Sequence, residues 1–258
     1  MTVDLRTSAD TVLAADRFQA YGPSHQGALV LLLVGVVAIV LFGRRHRGTE
    51  LAVRWGKVMA AAVLAVTVPL QVLYFTPAYW DLEKTLPLQL CDLASAVAVY
   101  ALWTRRRWAA ALTYFWGLTL TSQAILTPDL AADFPDPIFI LFWAMHVLVV
   151  WAAVYLVWAL GLGPDWRRYR VALAVTAAWA LAVYVFNVAV GTNYGYLNAK
   201  PSAASALDLL GPWPWYVLNE IVIVAVFWAL ITWPWARRSR TDRAADRTAQ
   251  QTPARTAP

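Results

Sequence analysis

Positive charge alternates from loop to loop along this chain. Set between seven apolar stretches, that alternation constrains the fold more than any single motif. Arg44, Arg45, Arg47, Arg54 and Lys57 follow the first stretch, and Arg105, Arg106 and Arg107 follow the third. Arg167, Arg168 and Arg170 follow the fifth, and six arginines from Arg237 to Arg255 follow the seventh. The remaining positions hold only Arg6, Arg17, Lys84 and Lys200, so 17 of 21 basic residues lie on one side. Cytoplasmic loops of membrane proteins collect Lys and Arg, so this side is expected inside and the N-terminus outside.

The expected fold is all-α: a polytopic membrane protein of seven transmembrane helices. Sixty per cent of residues are hydrophobic and 15 are Trp, a poor composition for a soluble domain. The net charge of +6 would suggest nucleic acid in a soluble protein. Here it sits in short loops and a tail, so it reports topology and attraction to anionic lipid, with no nucleic-acid partner. Arg outnumbers Lys 18 to 3 and Ala is abundant, which points to a GC-rich bacterial genome and a plasma membrane. One cysteine excludes an intramolecular disulfide and a cysteine metal cluster. No metal or other cofactor is expected. The polar first 26 residues do not look like a cleaved signal peptide.

The spans are expected at about 27–42, 57–75, 86–103, 108–126, 137–160, 171–190 and 215–235. Each is helical, because an isolated strand leaves its backbone unsatisfied in lipid. Three regions follow: an external segment 1–26, a membrane domain 27–236 and a disordered basic tail 237–258. Trp80, Trp103, Trp108, Trp166, Trp213, Trp215, Trp233 and Trp235 fall at span ends, as an interfacial belt requires.

Polar residues within the spans are costly in lipid and usually face a bundle interior. With the expected topology, Gln71, Gln89, Cys91, Asp92, Gln123, Asn187, Asn219 and Glu220 collect near the outer ends of the spans. Most lie roughly 6–8 Å below the outer boundary, and His146 about 13 Å below it. This predicts one polar pocket open to the outer leaflet. Within it Cys91, the only cysteine, and His146, the only histidine inside an expected span, form a candidate nucleophile and base. The blander readings are a small buried cysteine and a structural interhelical histidine bond. Asp92 and Glu220 also suit carboxylates reaching interfacial water. The stretch Gly191 to Tyr216, rich in turn formers and aromatics and holding Lys200, is expected to be an outer lid.

The runs Thr192-Asn193-Tyr194, Lys200-Pro201, Leu207-Asp208, Gly211-Pro212-Trp213-Pro214-Trp215-Tyr216 and Leu88-Gln89-Leu90-Cys91 carry a resemblance. They look like the bacterial YwaF-like integral membrane proteins, over roughly residues 20 to 236. That family is related to the eukaryotic transmembrane protein 164, a glycerophospholipid acyltransferase that works without coenzyme A. More distantly it resembles the androgen-induced-gene membrane hydrolases of lipid esters. The resemblance implies acyl transfer or ester hydrolysis on membrane phospholipids or lysophospholipids, with Cys91 as nucleophile and His146 as base. Gln89, Asp92, Gln123, Asn187, Asn193, Lys200, Asn219 and Glu220 are the candidates for orienting groups, substrate or oxyanion. A small-solute transporter and a non-enzymatic receptor or assembly factor remain the alternatives. No mid-helix lysine exists for a retinal Schiff base, which excludes that seven-helix class.

Overall fold

The computed structural model describes residues 18–128, 130–131, 133–201 and 205–251, with side chains to residue 237. Among these residues the chain forms α-helices and two short 3-10 turns, with no strand. The eight α-helices are α1 (Pro23–His46), α2 (Glu50–Tyr74), α3 (Leu90–Thr104), α4 (Arg107–Leu118), α5 (Leu120–Leu126), α6 (Pro137–Trp158), α7 (Trp166–Val190) and α8 (Trp215–Gln251). Five of them, α1, α2, α6, α7 and the part of α8 up to Arg237, are long and apolar enough to cross a membrane. This is a multi-pass membrane protein.

Local chemistry sets the helix ends. Thr49 accepts a hydrogen bond from the Ala52 amide to open α2. Asp136 accepts from the Ile138 and Phe139 amides, and Pro137 supplies a pre-set φ at the first helical position of α6. Asp165 caps α7 through the Arg168 amide. Arg105, in the left-handed region at φ 56°, separates α3 from α4.

Helix α6 is apolar on every side, so it has no face to offer water and becomes the central rod. Helices α1, α2, α3, α4 and α5 pack against it, and α7 and α8 lean on α4 and on each other. Two contacts need glycine. A Cβ on Gly35 of α1 would sit 2.0 Å from the Trp151 ring of α6, and one on Gly43 would meet the Ala159 amide at 2.9 Å. Such close approach is the usual basis of helix association in lipid. Aromatic donors tie the peripheral helices in. Trp116 Nε1 donates to Thr176 Oγ1 at 2.8 Å, Trp228 Nε1 to Thr119 Oγ1 at 3.1 Å, and the Tyr169 hydroxyl to the Ala225 carbonyl at 3.0 Å.

Several expected bounds shift. Helix α1 starts at Pro23 and extends to His46, so His25 and His46 both lie in it and His146 is not the only histidine within a membrane helix. The third expected span loses its first turn: residues 86–89 form a loop, and α3 has 15 residues. The fourth is broken into α4 and α5 at Thr119, whose φ is −119° and ψ −70°. The seventh continues as helical backbone to Gln251, where the composition suggests an irregular tail. Arg, Ala and Gln are good helix formers, and a helix already nucleated in the membrane needs only propagation. Most of the expected external segment (1–17), Ser202 to Ala204 of the lid, and residues 252–258 lie outside the described residues.

Candidate functional site

Helix α3 opens at Gln89 and carries Cys91 and Asp92 in its first turn. The segment before it, from Leu82 to Gln89, is held by the loop that follows α7. The Tyr194 hydroxyl accepts from the Leu86 amide at 3.0 Å and donates to the Leu82 carbonyl. The Gly195 amide donates to Gln89 Oε1 at 3.0 Å. Trp179 Nε1 of α7 donates to the Leu88 carbonyl at 3.1 Å. Gly195 has φ +67°, and a Cβ there would lie 2.6 Å from the Trp179 ring, so glycine is required on both counts.

Asn187, buried near the end of α7, organises that loop. Its Nδ2 donates to the Tyr194 carbonyl at 2.9 Å and to Asn198 Oδ1 at 3.0 Å. Its Oδ1 accepts from Thr192 Oγ1 at 3.0 Å and from the Tyr194 amide at 2.9 Å. Asn193 does the same one step out, accepting from the Asn198 and Ala199 amides and donating to the Ala199 carbonyl. Tyr194 is fully buried. Burial pushes its phenol above the ordinary value of 10.0, and the charges of Asp81, Asp92 and Glu83 push the same way.

The polar residues expected to line one pocket therefore divide. Gln71 donates to the Thr85 carbonyl at 2.7 Å, and Asn219 to the Leu210 carbonyl at 3.0 Å. Lys200 lies 3.6 Å from Asp208 and over the Tyr216 ring. Gln71, Gln89, Asn187, Asn193, Lys200 and Asn219 thus spend their polar groups on the loops. Ser95 bonds back to the Asp92 carbonyl at 2.7 Å. Gln123 and Glu220 make no side-chain hydrogen bond among the described residues; both are half-buried.

Cys91 is free and half-buried. The charge that acts on it is that of Asp92, next in the chain, and Asp92 and Cys91 in turn act on Tyr74 at the end of α2. His146 is buried on α6. Its Nδ1 lies 2.8 Å from the Phe142 carbonyl, and its ring packs on Phe142 at 4.0 Å between centroids. A carbonyl only accepts, so Nδ1 carries the proton and Nε2 holds the lone pair. Nε2 has no partner. No hydrogen bond joins His146 to Cys91.

His25 shows the contrast. It is equally buried, but its Nδ1 accepts from the Tyr21 amide and its Nε2 meets the Ile125 carbonyl, each at 2.9 Å. Both nitrogens are used, and the residue is structural. Thr121 Oγ1 on α5 and Trp143 Nε1 on α6 join His146 Nε2 as buried polar atoms without partners. An unpaired buried group costs about 1–3 kcal/mol, so each of them needs a reason. Sequence reading missed Tyr74, Tyr194 and Trp179. Tyr194 stands in the quoted Thr192-Asn193-Tyr194 run, whereas Trp179 reads as an ordinary lipid-facing aromatic.

Residues 20–232 match the model of the TMEM164 family. No curated protein and no solved structure matches the chain.

Proposed function

Because the chain belongs to the TMEM164 family of membrane proteins, we propose that it acts on glycerophospholipid esters, as an acyltransferase or hydrolase with Cys91 as nucleophile and His146 as base. The observation that carries this reading is the His146 imidazole: buried, with its proton placed on Nδ1 by the bond to the Phe142 carbonyl, and with Nε2 unpaired. A structural histidine in this bundle looks like His25, with both nitrogens bonded.

In the reaction, His146 Nε2 takes the Cys91 proton. The sulfur attacks the ester carbonyl carbon and a tetrahedral oxyanion forms. The Cys91 amide lies in the first turn of α3, where helix amides lack intrahelical acceptors, and it serves as oxyanion donor. The carbon–oxygen bond breaks, and the lysolipid oxygen leaves with the proton from His146. A second lysolipid hydroxyl, or water, then attacks the thioester carbonyl and releases the thiol. Catalytic hydrogen bonds commonly tighten only when substrate binds, and this mechanism requires Cys91 and His146 to come within reach through such a step.

The arginine-rich end faces the cytoplasm in this reading, and the Tyr194 loop lies at the outer leaflet of a bacterial plasma membrane. The acyl group reaches Cys91 near the depth of lipid ester carbonyls. A transporter would leave polar side chains along a path through the bundle. Six of the candidates instead hold loops at one end.

The test is acyl exchange between a labelled phospholipid and a lysophospholipid by purified protein in lipid bilayers, followed by mass spectrometry. Cys91→Ser and His146→Ala are each expected to lower turnover by about 10²–10⁴-fold while the proteins remain folded. Equal turnover in either variant overturns the assignment.

A further inference from the structure

The loop after α7 closes the end of α3 that carries Cys91. Four attachments fall on the eight residues from Leu82 to Gln89: the Leu82 carbonyl, the Leu86 amide, the Leu88 carbonyl and Gln89 Oε1. Three of these come from Tyr194 and Gly195, and the fourth from Trp179, whose ring packs against Gly195. Below them Thr85 is fully buried. Its hydroxyl accepts from the Asp81 amide at 2.9 Å and donates to the Tyr74 carbonyl at 3.2 Å, while Gln71 holds its carbonyl. Tyr194, Asn187 and Thr192 behind the closure are also buried. On α3 itself, Ala96, Tyr100 and Trp103 form an exposed stripe that begins at half-exposed Asp92 and runs along the apolar flank of the bundle. Cys91, two residues after Gln89 and next to Asp92, keeps part of its surface.

We propose that Tyr194 is a specificity-determining residue: its hydroxyl bolts the loop over α3, bars water and water-soluble molecules from Cys91, and leaves the thiol open only to acyl chains arriving from the lipid. The chemical consequence concerns the thioester. Attack by water gives a fatty acid, and attack by a lysolipid hydroxyl gives a new diacyl lipid. Keeping water out favours transfer. This last step rests on the reading of Cys91 as acyl carrier; the closure itself does not.

The experiment compares two thiol reagents on purified protein in lipid bilayers. One is a charged, water-soluble methanethiosulfonate, and the other a long-chain alkyl maleimide that partitions into the membrane. Wild type is expected to react faster with the alkyl reagent. Tyr194→Phe removes only the hydroxyl, and is expected to raise the charged reagent's rate about tenfold relative to the alkyl reagent's, through easier opening of the loop. Asn187→Ala is expected to shift the same ratio in the same direction. A general loss of fold would raise both rates together, so an unchanged ratio overturns the proposal. So does a wild-type thiol that reacts equally fast with the charged reagent. In the turnover assay, Tyr194→Phe is expected to increase the share of free fatty acid over transferred product. Complete absence of turnover in wild type would remove the enzymatic reading and leave the reagent ratio to judge the closure alone.

Discussion

Asn187 spends its whole amide on one loop, with two donated and two accepted hydrogen bonds. From the sequence it is a polar residue near the end of a span, which is enough to predict that it faces inward and too little to predict what it meets. Removing it strands a buried carbonyl, an amide and a hydroxyl at once. Asn187→Ala is therefore expected to destabilise the protein by roughly 2–4 kcal/mol, seen as a lower midpoint of thermal unfolding in detergent. An unchanged midpoint would mean the loop rearranges freely. Tyr194 gives a second residue-scale expectation. Its phenol is held above 10.0 by burial first and by Asp81, Asp92 and Glu83 next. The folded state then keeps a proton that the unfolded chain releases. The loop's stability is complete below the ordinary tyrosine value and declines as pH rises past it toward the folded one. In ultraviolet titration, subtracting the Tyr194→Phe curve from wild type is expected to isolate a phenol that ionises later than free tyrosine. A difference curve centred at the ordinary value would contradict the buried geometry. His146 makes the same point about legibility. Its residue type marks it as a base, but only the bond to Phe142 fixes which nitrogen is free.

At the scale of elements, the long helices were readable because their signal is local. Nineteen or so apolar residues between charged loops leave no alternative in lipid. The breaks were less readable. Thr119 divides the fourth span while its hydroxyl accepts from Trp228 on α8, a partner 109 positions away. The shortening of α3 has the same origin: residues 86–89 leave the helix because Tyr194 and Trp179 take their backbone groups. Helix α1 illustrates packing that glycine permits. Few of its residues are fully buried, yet Gly35 lies under Trp151, whose indole donates to the Leu32 carbonyl at 3.0 Å. Gly35→Val is expected to displace α1 and cost about 1–3 kcal/mol. Pairing it with Trp151→Ala is expected to recover part of that loss by making room. Equal stability of Gly35→Val and wild type would show that α1 does not rest on α6 as the geometry requires.

For the whole molecule, charge asymmetry gives the orientation test. A cysteine at exposed Ala131, in a Cys91→Ser background, is expected to react with an impermeant thiol reagent added outside intact cells, and one at Ser239 is expected to stay unlabelled. Reversed labelling would place the Tyr194 loop and Cys91 at the cytoplasmic leaflet. The sequence by itself determined the membrane class, the order of the helices and the end at which polar residues collect. Those depend on hydropathy and charge summed over neighbouring positions, and the bilayer reads them helix by helix. Only the tertiary structure decided what the polar residues do. Gln89, Asn187 and Asn193 close a loop, His25 is fully bonded, and His146 Nε2 is left free. Hydrogen bonds are settled by pairs of groups brought together across the fold, such as Tyr194 with Leu82 at a separation of 112 residues. A side chain's chemistry is written in the sequence, but whether its partners consume it is a property of the packed bundle.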